Sequence, residues 1–247
     1  MCMLKMKINT PKTILIHQPD FLPWIGFFHR WAVSDLFIML DDVQFIRRGW
    51  HHRDKIKTPE GVRWLTVPVK KKGKFFQPIH EVDILSEDDW QKDHLNLIRA
   101  VYKRAPEFKA IFPKIEDIYN KPSFRLMDLN LNFLLFLADY LDIHTPYRFS
   151  SEFVVDKKGS DRLIELIRLN QGTEYITGLG SRGYLEEEKF SAQGIHVLWD
   201  DFKTPYYPQL QGVFTPDLSI LDALMMLPKN ELKLLCTGDP SHAEMCA

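Results

Sequence analysis

Thr13-Ile14-Leu15-Ile16-His17 is a short apolar, β-branched run that stops at Gln18-Pro19. That pattern predicts a buried strand with a loop at its C-terminal end. Across residues 24–34 the apolar positions change to helical spacing, with Trp24, Phe27, Phe28 and Trp31 on one face. Leu36-Phe37-Ile38-Met39-Leu40 is a second continuous apolar run, ended by Asp41-Asp42. Strand, helix and apolar strand form the βαβ unit of a parallel sheet buried on both sides. A polar, aromatic stretch follows, then a predicted hairpin with strands at 54–57 and 64–69 around the turn Thr58-Pro59-Glu60-Gly61. Lys70-Lys71-Lys72-Gly73-Lys74 reads as a charged loop, and residues 79–85 alternate as an edge strand would.

The middle of the chain is helical. Residues 88–104 carry Trp90, Leu97, Ile98 and Val101 on one side, and residues 123–141 carry Leu126, Leu129, Phe133, Leu137 and Tyr140. Both stripes are read as core. The α/β pattern then resumes with strands at 147–150, 174–177 and 196–199, a helix at 160–169 with Ser160 as its N-cap, and a last helix at 218–227. No internal repeat or linker appears. The expected fold is α/β, a Rossmann-like parallel sheet with a helical subdomain. It forms a single domain over 1–247: an α/β core with site loops in 11–85, the helical subdomain in 86–145, the remaining α/β part in 146–235 and a tail in 236–247.

The apolar fraction of 45% and charged fraction of 26% are ordinary for a globular chain. Lys+Arg 32 against Asp+Glu 33 gives a net charge of −1, which argues against a protein that lives on nucleic acid or anionic membrane while leaving room for a local basic patch. Cys2, Cys236 and Cys246 are odd in number and lie at the termini, so neither a disulfide framework nor a structural zinc site is expected. The first residues lack a secretory apolar segment. The run 129–141 is broken by Asn130, Asn132 and Asp139 and is too short to span a bilayer. The expected location is cytoplasmic, with no integral membrane segment.

Three stretches carry candidate chemistry. At a strand end beside a helix N-terminus, His17 and Gln18 sit where parallel sheets bind ligands, and free backbone N–H groups there favour an anion; the same residues also read as a plain strand-to-helix corner. Asp41-Asp42 ends the other early strand. Adjacent acids on an extended chain face opposite ways, so one is expected in the crevice, to hold Mg²⁺ or a substrate hydroxyl or amine, and the other in a turn. Arg47, Arg48, Arg53, Lys55 and Lys57, interleaved with Trp50, form a positive cluster suited to phosphate or carboxylate. Adjacent His51-His52 with no cysteine nearby do not make a zinc pair. Ser150-Ser151, Tyr175 with Gly178 and Gly180, Tyr184 and Gln209 fall near predicted strand ends or loops and could line the same crevice. No nucleophile elbow, P-loop, zincin or complete dinucleotide motif is present.

Taken together, His17-Gln18-Pro19, Leu22-Pro23-Trp24-x-Gly26-Phe27-Phe28, Asp41-Asp42-Val43-Gln44-Phe45, Arg53-x-x-Ile56-Lys57, Trp64-Leu65-Thr66-Val67-Pro68, Tyr207-x-Gln209 and Leu218-Ser219-Ile220-Leu221-Asp222 resemble the WbqC-like family of bacterial proteins. The likeness departs at His52 and Asp54, where the family typically has asparagines. It implies a role in O-antigen and related surface-polysaccharide biosynthesis, with glycine transfer as a suggested activity. The early order of elements is also similar to the nucleotidylyltransferase-like fold, whose H-x-G-H motif would fall on Trp24-Ile25-Gly26-Phe27, keeping the glycine and losing both histidines. That likeness implies ATP and Mg²⁺ as candidate cofactors.

The expected function is a transferase attaching an acyl or aminoacyl group, glycyl among them, to an amino sugar on a nucleotide-sugar or lipid-linked precursor. The alternatives are a nucleotidyltransferase acting on a sugar phosphate and a non-catalytic sugar-nucleotide-binding protein. His17, Asp41 and Asp42 are the expected catalytic residues. Gln18, Trp24, Gly26, Gln44, Arg47, Trp50, Arg53, Lys57, Ser150, Ser151, Tyr175, Tyr184 and Gln209 are the expected substrate contacts; no metal ligand is assigned and no nucleic-acid partner is expected.

Overall fold

The structure, a computed structural model, describes residues 10–86 and 89–237. Cys2, Cys246, the first nine residues, the predicted helix start at Asp88 and the tail beyond Thr237 lie outside the described residues. The centre is a five-stranded sheet of β1 (Thr13–His17), β2 (Leu36–Met39), β5 (Tyr147–Phe149), β6 (Glu174–Gly178) and β7 (His196–Asp200), in the order β5-β2-β1-β6-β7. Every pairing is parallel, with Ile16 opposite Ile38 and Ile14 opposite Tyr175. The fold is α/β and Rossmann-like.

Alternation along the strands divides the core in two. Leu15, Phe37, Met39 and Ile176 face a large layer that begins with Phe27, Phe28 and Trp31 of α1 (Ile25–Ala32). Ile14, Ile16, Leu36 and Ile38 face the other side, where α5 (Gly159–Leu169) and α6 (Glu187–Ser191) bring Ile164, Ile167 and Phe190. The large layer continues into α2 (Trp90–Tyr102), α3 (Phe108–Asn120), α4 (Leu126–Tyr140), α7 (Ile220–Met226) and α8 (Lys229–Thr237). A separate antiparallel hairpin pairs β3 (Arg53–Thr58) with β4 (Gly61–Thr66).

Several local readings need correction. Residues 79–85 are not an edge strand but a 3₁₀ turn, Ile79–Glu81, followed by isolated bridges. The alternation there reflects Ile79, Val82 and Ile84 dropping into the core, while the N–H groups of Ile79 and His80 bond to Val43 and Asp41 carbonyls. The hairpin turn is tighter than expected, because Gly61 at φ +116° allows β4 to begin immediately after Glu60. Ser160 does not cap α5: the helix starts one residue earlier, and its hydroxyl accepts from the Glu186 N–H instead. Three helices were not foreseen, the short α6 among them. α3 contains Pro113, which reads as a breaker but stands at an exposed position in its second turn. α8 carries only two fully buried residues, Leu232 and Cys236, and is tied to α1 by a 2.8 Å bond between His29 Nδ1 and the Cys236 carbonyl.

Candidate functional site

The chain lays β2 and β5 on one side of β1, then returns to place β6 and β7 on the other. Loops leaving β1 and β6 therefore diverge, which opens a crevice at the C-terminal ends of those strands. A cavity of about 750 Å³ lies there, lined by His17 and Gln18 after β1, Thr177 and Gly178 at the end of β6, and Asp200 on β7. A second cavity of about 440 Å³ lies beside it, lined by Asp20, Trp50, His51 and Asp54. His17, Gln18, Trp24 and Ile46 line both. The two are lobes of one cleft that meet at the end of β1.

The larger lobe carries two arginines. Arg30 of α1 is only 6% exposed and donates one bond, to Asp200 Oδ2 at 3.2 Å. Gly178 leaves the room it needs, since a Cβ there would stand 3.3 Å from Nη1. Arg162 of α5 donates to Asp42 Oδ2 at 2.6 Å and to the Val155 carbonyl. The first turn of α5, with Gly159 and Ser160, also borders this lobe. A hydroxyl chain runs from Thr177 to Ser181 at 3.0 Å and on to Tyr184 at 2.9 Å. Guanidinium and hydroxyl groups of this kind suit phosphate or carboxylate oxygens.

The smaller lobe gathers titratable groups. Asp20 is 6% exposed, and its two oxygens lie 3.7 Å from His17 Nδ1 and 3.5 Å from His51 Nδ1. Burial pushes its carboxyl up to about 7, against the pull of the nearby Arg30 charge. Asp54, also buried, is raised well above the usual carboxylate range by burial. His17 and His51 are each lowered to about 4, mainly by burial, so both are neutral imidazoles at physiological pH. His17 Nδ1 lies 2.9 Å from the Gln18 carbonyl, which can only accept. The proton therefore sits on Nδ1 and Nε2 keeps its lone pair.

The loop carrying Asp20 is held from behind. Asn130, on the otherwise apolar buried face of α4, donates to the carbonyls of Pro19 at 2.8 Å and His51 at 2.7 Å. The Phe21 N–H bonds to the Trp50 carbonyl at 3.1 Å. These three bonds stitch the loop after β1 to the 3₁₀ turn Trp50–His52 and so fix Asp20 against His51.

Of the expected site residues, His17, Gln18, Trp24, Trp50, Tyr175 and Tyr184 line the cleft. Asp41 and Asp42 lie on the same edge of the sheet but do not line it. Asp41 accepts from the Ser151 N–H and from the hydroxyls of Ser150 and Ser151, and Asp42 accepts from Ser150 and Arg162. Because β2 ends at Met39, strand alternation no longer governs these acids, and both reach the same serine. All four of their oxygens already accept a hydrogen bond, one of them from the Arg162 cation, which does not fit Mg²⁺ there. Gly26 lies beneath the Trp24 indole, whose carbons stand 2.3 Å from where a Cβ would be. The indole fills the space that a nucleotide would need above this turn, so the first strand-to-helix corner does not fit ATP.

The remaining expected residues lie elsewhere. Gln44 bonds the Phe75 carbonyl and Arg47 the Lys71 carbonyl. Arg53 bonds the Arg48 carbonyl and covers the Trp64 ring at 4.2 Å. Lys57 is buried and holds Gln209 at 2.9 Å, bracing the loop that contains Val213. Arg30, Asp20, Asn130 and Arg162 were not anticipated. The signals were present: a cation on the apolar face of α1, an acid between Pro19 and Phe21, and an amide interrupting an apolar helix.

Fold and cleft together define an α/β protein with a two-lobed site at a topological switch point. A family model described as the WbqC-like protein family matches residues 18–234, and the chain belongs to that family. It is 36% identical over 215 residues to the uncharacterized protein Rv1507c of Mycobacterium tuberculosis (strain ATCC 25618 / H37Rv), an alignment covering 86% of this chain and 93% of that one. No solved structure matches it. No helix among the described residues is long and apolar enough to cross a membrane.

Proposed function

We infer that this protein transfers an acyl or aminoacyl group to the amine of an amino sugar during surface-polysaccharide biosynthesis. The observation that carries the reading is the placement of Asp20 between two neutral imidazoles in the smaller lobe, one of them His17, which lines both lobes. Two lobes suit two substrates. The larger, with Arg30 and Arg162, takes an activated donor on a phosphate-bearing carrier, and the smaller, walled by Trp24 and Trp50, takes the sugar. The amine nitrogen attacks the donor carbonyl, so that a C–N bond forms and the bond from carbon to the carrier breaks. A carboxyl with a pKa near 7 is matched to this task, since it can accept the proton from the nitrogen and return it to the departing carrier. His17 Nε2 accepts a hydrogen bond from the amine and orients it, and Gln18 borders both lobes where the carbonyl oxygen would lie.

Structural analysis of the surface glycan from cells carrying Asp20→Asn tests this. The expected result is loss of an amide-linked acyl substituent with the sugar backbone intact. A glycan with full amide substitution in that strain would sink the proposal.

A further inference from the structure

Residues 44–77 hold ten Lys and Arg against two acids, Asp54 and Glu60, a net charge of 10 − 2 = +8 in a chain whose total is −1. The structure gathers most of this charge onto one surface and sets apolar side chains among it. Arg53 lies over Trp64, Trp64 packs on Trp50 with ring centres 5.4 Å apart, and Lys55 lies over Trp50. Arg47 lies over Phe75 and donates to the Lys71 carbonyl, and Phe75 packs on Phe76. Lys71 Nζ in turn lies 3.1 Å from His52, next to Arg53, which joins the two halves. Phe75 is 58% exposed, Phe76 79% and Ile46 55%. Among the described residues, Arg47, Arg48, Arg53, Lys55, Arg63, Lys71 and Lys72 have no carboxylate within 4 Å; Lys70 and Lys74 share Asp83.

We propose that this surface docks the protein on an anionic phospholipid membrane. Uncompensated cations answer the negative charge of lipid headgroups, and the phenylalanines and tryptophans supply the amphipathic and apolar groups that enter the interface. Single-stranded nucleic acid is the less fitting occupant. It needs open aromatic faces on which bases stack, and here Arg53, Lys55 and Arg47 already cover faces of Trp64, Trp50 and Phe75. Ile46, Gly49, Trp50 and Lys55 belong to this surface and also line the smaller lobe, so the mouth of that lobe opens beside the docked face. On the acyl-transfer reading above, the amino sugar is then carried on a lipid and reaches Asp20 from the membrane; the docking itself does not depend on that chemistry.

The test is sedimentation of the purified full chain with vesicles of phosphatidylglycerol in phosphatidylcholine, and of phosphatidylcholine alone. Binding to the charged vesicles is expected, weakening as salt is raised, with little binding to the neutral ones. Lys71→Gln and Lys72→Gln should each weaken it about fivefold, and Phe75→Ala with Phe76→Ala at least tenfold, with circular dichroism unchanged. Asp20→Asn should bind as the wild type does, which separates failure of the docking from failure of the chemistry. No binding to charged vesicles, binding insensitive to the Phe75 and Phe76 changes, or retention of a random single-stranded oligonucleotide in place of vesicles would each overturn the proposal.

Discussion

Among the described residues Asp20 has no partner within ion-pairing distance other than imidazoles that burial keeps neutral. A carboxylate so placed is costly to ionise. Its pKa is pushed from an ordinary 3.8 to about 7, and each unit corresponds to about 1.4 kcal/mol. The sign follows from linkage: below pH 3.8 the group is protonated in both states, and from there to about pH 7 the folded state holds a proton that the unfolded state has released. Stability from this group is thus lost as pH rises through that window. Asp20→Asn should therefore stabilise the protein at pH 8 by an amount on the order of 4 kcal/mol, with the gain vanishing near pH 4, while abolishing transfer. Denaturant midpoints of both proteins across pH 4–8 measure it; a variant less stable than the wild type at pH 8 would show that Asp20 is a structural acid. Such a group was hard to find in the sequence because burial, which sets its chemistry, is decided by Asn130 and Trp50, far away along the chain. His17 was easier, standing at the end of an apolar strand.

At the scale of elements, α4 illustrates how a core helix serves the cleft without lining it. Its apolar stripe was plain from spacing, and Asn130 looked only like a break in hydrophobicity. In the fold it bonds two carbonyls from separate loops, neither of which has another hydrogen-bond partner among the described residues. Asn130→Ala leaves both oxygens buried and unpaired, which costs about 2 kcal/mol. It also frees the loop after β1 from the turn Trp50–His52, so the expected kinetic signature is a fall in kcat larger than any rise in KM. If stability falls while kcat is untouched, the stitch has no part in positioning Asp20. The strands, α1, α2 and α4 were legible because burial on one or both faces leaves a periodic trace. The 3₁₀ turn at Ile79–Glu81 was not, because its apolar residues keep a strand-like spacing while its N–H groups go to the loop after β2. α3 was obscured by Pro113, and the Asp41-Asp42 pair by a strand one residue shorter than its apolar run.

For the molecule as a whole, the near-zero net charge concealed two opposed parts: +8 within residues 44–77 and −1 − 8 = −9 in the remainder. A sum over the chain cannot show this segregation, for which the expectation drawn from the balanced charge left room only as a local basic patch. A second collective property follows from buried imidazoles. His17, His51 and His94 are each lowered to about 4 and His52 to about 3, in every case mainly by burial. Between pH 6.5 and 4 the unfolded chain protonates these four while the folded protein does not, so unfolding takes up protons and stability falls as the pH drops. Asp20, Asp54 and Asp222, all raised by burial, act in the opposite sense over part of that range. Four imidazoles against three carboxyls leave a net uptake of at most about one proton, a slope of at most about 1.4 kcal/mol per pH unit. Below pH 4.5, protonation of Asp83, Asp142 and Glu165, which hydrogen bonds from lysines hold low, and of Glu152, which the Phe149 N–H and then Arg148 hold low, adds to the loss. Urea midpoints taken at half-unit steps should thus decline gently from about pH 6 downward, and more steeply in Asp20→Asn, where one opposing carboxyl is gone. A midpoint that stays level to pH 4.5 would mean that the imidazoles at the cleft are solvated, and with them the carboxyl on which the proposed chemistry turns.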